Sequence, residues 1–273
     1  MAQCVNHART ANLHTTAPSN APYDHHARTH PLHFACHAQA LRVICHLMKS
    51  VPLFSLLQIR VRADAGAALL IVLLAVSFSR TGATGAALGA ALGVGILICL
   101  LVHELGHAIA VRSLGFGGST ITLSMFGGVC SWHANPTPAQ RIVVAVAGPA
   151  ATALCAGACF VLARAVMPSY AGAILTQLTQ LNLLWLAFNL LPVLPLDGGT
   201  IVHSLLLMRL PEPRASLVGH GISFLFATGA AVAAWYYKAS SMAVVMLALL
   251  AWRSIQYFQH ARRSSSPPEE LPP

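Results

Sequence analysis

Six long apolar blocks constrain this chain more than any other feature. They run over residues 61–79, 83–111, 141–166, 172–191, 217–237 and 241–257. A helix of about 20 apolar residues crosses a hydrocarbon core of roughly 30 Å. Hydrophobic residues make up 56% of the 273, and charged residues only 8%. A soluble domain carries about a quarter charged residues. The mean hydropathy of +0.67 agrees. The expected fold is an all-α polytopic membrane protein with about six transmembrane helices. One segment breaks the pattern. Residues 119–132 alternate Thr and Ser with Ile, Leu and Met before Gly127-Gly128. That alternation predicts a short membrane-associated β segment, followed by a loop at Asn135-Pro136 and Pro138.

The first 47 residues differ in composition. They hold eight of the fourteen His, with Thr, Asn and Pro, and no long apolar run. Three readings stand: a disordered tail, a mis-assigned start with translation beginning at Met48, or a loose His-rich metal-binding tract. Residues 48–260 form one membrane domain, and 261–273 a polar C-terminal tail. The seven Cys (4, 36, 45, 99, 130, 155 and 159) include no CxxC pair. This argues against a disulfide framework and a Cys-type zinc site. Cys155 and Cys159, one helical turn apart, read as small packing residues.

The formal net charge is +9. A nucleic-acid binder would gather its cations into a folded patch. Here they lie between apolar blocks, so no nucleic-acid partner is expected. Lys49, Arg60, Arg62, Arg112, Arg141, Arg209, Arg214, Arg253, Arg262 and Arg263 fall on one side of the alternating blocks. Arg80, Arg164 and Lys238 fall on the other. The positive-inside rule then places both termini in the cytoplasm.

The chain has seven acids, and only Glu104 and Asp197 lie at or near membrane depth. Ionisable groups there are costly and point to function. Glu104 sits in His103-Glu104-Leu105-Gly106-His107. Residues four apart share a helix face. Two imidazoles can therefore hold one zinc ion while the Glu between them activates the metal-bound water. A bland alternative is a satisfied buried His-Glu cluster. Zinc also wants a third protein ligand and an open position, and Asp197 is the candidate. Blocks two and four run in the same direction, so both motifs reach the same membrane face. The bland reading of Asp197 is a turn residue before Gly198-Gly199.

HELGH in a membrane helix, ITLSMFGGV, Gly148-Pro149-Ala150 and FNLLPVLPLDGG together resemble the site-2 protease family of intramembrane zinc metalloproteases, in a compact form without PDZ or CBS domains. The resemblance covers roughly residues 49–260. It implies hydrolysis of peptide bonds in or near transmembrane segments of membrane-anchored proteins, within the lipid bilayer. It assigns His103, His107 and Asp197 as ligands of one Zn2+ per chain, and Glu104 as the general base. Asn189, eight residues before Asp197, matches the family Asn expected to hold the substrate carbonyl or its oxyanion. Residues 121–129 match the family strand thought to pair with unwound substrate. The implied location is the bacterial cytoplasmic membrane.

Two other functions use the same residues. A divalent metal transporter would place His and Asp at the midplane. A catalytically inactive membrane scaffold would keep the fold without the chemistry. Among the remaining polar residues, His203 reads as a residue facing the headgroup region, with a partner of the site as the alternative. Asn182 shares the face of Asn189. His133, His220 and the four Trp read as loop, headgroup or packing residues. Gly85, Gly89 and Gly93 predict close helix packing.

Overall fold

A computed structural model describes residues 50–125, 127–238 and 241–264, with backbone alone at 241–242 and 260–264. The expectations for residues 1–47, and for the tail beyond 264, lie outside the described residues. The chain opens with a hairpin, β1 (Val51–Leu56) and β2 (Ile59–Ala63), then α1 (Ala65–Phe78) and, after a 3-10 turn, α2 (Gly82–Ser113). A second hairpin, β3 (Ser119–Ser124) and β4 (Gly127–Trp132), leads into α3 (Pro138–Val166). Then come α4 (Tyr170–Asn189), α5 (Asp197–Leu207), α6 (Glu212–Tyr236) and α7 (Ser241–Ser264).

Among the described residues, four helical stretches are long and apolar enough to cross a membrane: Ala65–Ser113, Pro138–Val166, Tyr170–Asn189 and Glu212–Tyr236. The fold is helical and polytopic, as of an integral membrane protein. Its packing is that of helices in lipid, where small residues let backbones approach. Ala108, Thr152, Ala215, Ala227, Ser204 and Ser223 are fully or nearly fully buried. Large apolar side chains such as Leu154, Val161, Leu184 and Leu225 point outward. A Cβ at Gly85, Gly89 or Gly93 would strike Phe78, Leu74 or Ile71, so these glycines bring α1 and α2 together.

The four strands form one sheet in the order β1-β2-β3-β4. β2 and β3 pair in parallel; the two hairpins are antiparallel, and β1 carries a bulge between Pro52 and Phe54. The hairpin expected at 119–132 is present. The first hairpin corrects the expected start of block one at residue 61. Val61 belongs to β2, and helix α1 has only 14 residues. At 1.5 Å per residue it is about 21 Å long, short of a hydrocarbon core. The reason is packing. Ile59 and Val61 alternate with Arg60 and Arg62, and the two apolar side chains are buried against Ile121, Leu123, Leu100 and Ala108. Asp64, between strand and helix, caps α1 by accepting from the Ala67 N–H at 3.2 Å. The sheet thus sits on the second half of α2, where the HELGH motif lies.

Candidate metal centre

Helix α2 presents His103, Glu104 and His107 on its inner face, at 4%, 5% and 8% exposure. They are almost dry because α3 crosses α2 closely at this level. A Cβ at Gly106 would collide with the Ala147 backbone. Helix α5 begins at Asp197 and points it into the same space. That helix start lies tight against the preceding loop, because Gly198 and Gly199 leave no side chain between it and the backbone of 190–194.

Four donor atoms of three residues converge. His103 Nε2 and His107 Nε2 are 3.2 Å apart. Asp197 Oδ2 is 3.3 Å from His103 Nε2, and Oδ1 is 3.4 Å from His107 Nε2. The opposite ring nitrogens are anchored in α3: His103 Nδ1 lies 2.8 Å from Thr152 Oγ1, and His107 Nδ1 lies 2.7 Å from Val144 O. A carbonyl only accepts, so His107 Nδ1 carries the hydrogen. In the neutral ring Nε2 is then a lone pair aimed at the other two donors. Asp197 Oδ2 is buried without a hydrogen-bond partner among the described residues. Lone pairs facing one another in a dry site call for a shared cation.

Zinc fits this set. Zn–N and Zn–O bonds of about 2.0–2.2 Å in tetrahedral geometry give ligand-to-ligand edges of about 3.3–3.6 Å. The Nε2–Nε2 edge of 3.2 Å, and the 3.3 and 3.4 Å from each imidazole to its own carboxylate oxygen of Asp197, lie near that size. His103, His107 and Asp197 form a group able to hold a metal ion. Two nitrogens and one carboxylate are the donor types of catalytic zinc, and imidazoles fixed through their far nitrogen are its usual surroundings.

Two glycines of the sequence motifs are explained by the same side chains. A Cβ on Gly148 would overlap the His107 imidazole, and one on Gly128 would overlap the Glu104 carboxyl. Neither position has a positive φ, so the requirement is for space alone. Gly128 belongs to β4, which brings the Cys130 backbone to hydrogen-bonding range of Glu104. The Cys130 thiol is pushed up to about 11, by burial first and by the Glu104 carboxylate second.

His103, Glu104, His107, Gly128, Asn189 and Asp197 all line one cavity of about 630 Å³, bounded on one side by β4. Asn189, 7% exposed, spends one amide hydrogen on Trp185 O at 3.1 Å and keeps the other. The remaining candidates lie elsewhere. Asn182 bonds Leu178 O and lines an adjacent apolar cavity of about 330 Å³. His203 turns to Ser216 Oγ at 3.4 Å. His220 stacks on Tyr257, and His133 is exposed. Sequence reasoning passed over Thr152. The available signal was a hydroxyl inside an apolar span, one turn after Gly148-Pro149.

Known proteins match parts of this chain. Residues 91–172, which include HELGH and Thr152, match the family model described as peptidase family M50. The chain is 36% identical over 132 residues to a Synechocystis sp. protein named "Putative zinc metalloprotease sll0528", covering 46% of this chain and 35% of that one. It is 39% identical over 115 residues to Mycobacterium tuberculosis Rip3, similarly named, covering 40% of this chain and 29% of Rip3. The chain thus spans about a third of the length of these curated relatives. Its fold is similar to that of the site-2 protease from Methanocaldococcus jannaschii, with a TM-score of 0.53 at 21% identity, covering 82% of this chain and 99% of that one.

Proposed function

We propose that this chain is an intramembrane zinc metalloprotease of the site-2 protease type, with its active site at the His103–His107–Asp197 cluster. The observation that carries the reading is the convergence of two imidazoles and one carboxylate, at N–N and N–O separations of 3.2–3.4 Å, with a second carboxyl on the residue beside His103. His103, His107 and Asp197 would hold one zinc ion. When bound, zinc acidifies water and polarises a carbonyl as a Lewis acid.

The chain's own residues do the rest. Glu104 takes a proton from the attacking water and returns it to the leaving amine. Its carboxyl is held beside the cluster by the gap at Gly128. Asn189 points its unused amide hydrogen at the substrate oxygen, where negative charge develops. Thr152 and the Val144 carbonyl fix the two imidazole rings. A transmembrane substrate must unwind to expose a peptide bond, and its freed backbone groups then need partners. The β4 edge, beside the cavity, offers them by strand addition. The substrate would be a membrane-anchored protein, and both termini of this chain would face the cytoplasm of a bacterial inner membrane.

The test uses the full chain in proteoliposomes with a tagged single-span substrate. Glu104→Gln should retain zinc and lose cleavage by roughly 10²- to 10⁴-fold. Cleavage at the wild-type rate in that variant would end the proposal, as would a wild-type protein that binds no zinc.

A further inference from the structure

The sequence shows Cys155 and Cys159 one turn apart on α3 and gives no sign of a third partner. The fold supplies one. Cys99, on the facing side of α2, brings its Sγ to 3.7 Å from that of Cys155. All three sulfurs lie within 4.8 Å of one another. Cys159 is buried, and Cys99 and Cys155 are half-buried. Cys99 also lines the apolar cavity of about 330 Å³ next to the zinc-type site, which gives the cluster an approach route.

We propose that Cys99, Cys155 and Cys159 form a second metal site, distinct from the His103–His107–Asp197 cluster, that takes copper(I). The inference is independent of the proteolytic reading. Two considerations select the ion. The donors are all sulfur, and soft thiolates favour copper(I) over harder ions. A metal–sulfur bond of about 2.3 Å in a three-coordinate plane gives S···S edges of about 4.0 Å; the Cys99–Cys155 edge is 3.7 Å, and all three sulfurs lie within 4.8 Å of one another. Binding by three thiolates releases three protons to solvent for each copper(I) taken up.

The position gives the site a mechanical link to its neighbour. Cys99 is one turn before His103, and Cys155 is three residues after Thr152, the partner of that imidazole. A copper ion would tie α2 to α3 one turn from the His103–Thr152 hydrogen bond.

The experiment is an anaerobic copper(I) titration of the zinc-loaded full chain in detergent, against a chromophoric copper(I) chelator. Wild type is compared with the triple Ala variant at Cys99, Cys155 and Cys159, and with Cys99→Ala alone. Wild type should hold about one more copper(I) than the triple variant, and X-ray absorption should show three sulfur neighbours. Cys99→Ala should weaken that equivalent at least tenfold and reduce the sulfur count to two. It carries the comparison alone if the triple variant fails to fold. Equal copper binding in wild type and variants overturns the proposal, as does a copper environment of nitrogen and oxygen. A Cys99–Cys155 disulfide in protein isolated under reducing conditions would also overturn it.

Discussion

Replacing Thr152 by Val tests whether the zinc-type site is held from behind. Val has the same shape as Thr, so packing at this fully buried position is preserved. What is removed is one hydrogen bond, 2.8 Å from Oγ1 to His103 Nδ1. For His103 to offer its Nε2 lone pair to a metal, Nδ1 must carry the hydrogen and Oγ1 must accept it. The variant leaves that N–H unpaired in a dry interior. A hydrogen bond to a group that becomes charge-bearing contributes about 1.5–3 kcal/mol. At about 1.4 kcal/mol per factor of ten, zinc affinity should fall by roughly 10- to 100-fold. Losses for outer partners of metal ligands, about 10- to 100-fold, agree by an independent route. The assay is competition for zinc with a chromophoric chelator at fixed pH, with the unfolding midpoint measured in parallel. Thr152→Ser, which keeps the hydroxyl, should bind zinc within a few-fold of wild type. Wild-type affinity in Thr152→Val would refute the claim that this hydroxyl orients His103. So would an equal loss in both variants.

Other expectations follow from the same geometry. Gly148→Ala should drive His107 off the cluster and lower zinc affinity about 100-fold or more, read by the same competition, with α3 still helical by circular dichroism. Asn189→Ala should lower the cleavage rate by roughly 10²- to 10³-fold with zinc content unchanged; a change in zinc content would make Asn189 part of the metal site instead. His203 is held below its ordinary value by burial, reinforced by Arg141 and opposed by Glu212. The folded state therefore binds this proton less readily than the unfolded chain. The stability from neutral His203 is complete above about pH 6.5 and is lost as pH falls through the lower folded value. His203→Gln should thus lose less thermal stability than wild type between pH 7.5 and 5.5, in paired melts.

The membrane helices and the candidate site residues were legible in the sequence for the same physical reason. A bilayer tolerates few polar groups, so each one that remains carries information. His103, Glu104, His107 and Asp197 could be singled out because little else competes with them at depth. The first hairpin was hidden. Its turn falls on Leu57-Gln58, both at positive φ, where Asn-Gly would have announced it. The alternation Ile59-Arg60-Val61-Arg62 was the remaining signal, and it merges into the apolar run of α1. Helix α5 was obscured because it is only 11 residues long and starts on Asp197 itself. The Cys99–Cys155 approach crosses 56 residues of chain and leaves no periodic trace.

The two margins of the small sheet are unequal. β1 carries Pro52, which has no N–H to offer, and a bulge that interrupts its register. These features discourage an incoming strand. β4 begins with two glycines and runs along the cavity wall beside Glu104. On the proposed reading, an unfolded segment seeking backbone partners would be turned away at the outer margin and accepted at the inner one. The hairpin at the start of the domain would then direct traffic: extended chains docking on this sheet would do so within reach of the proposed chemistry.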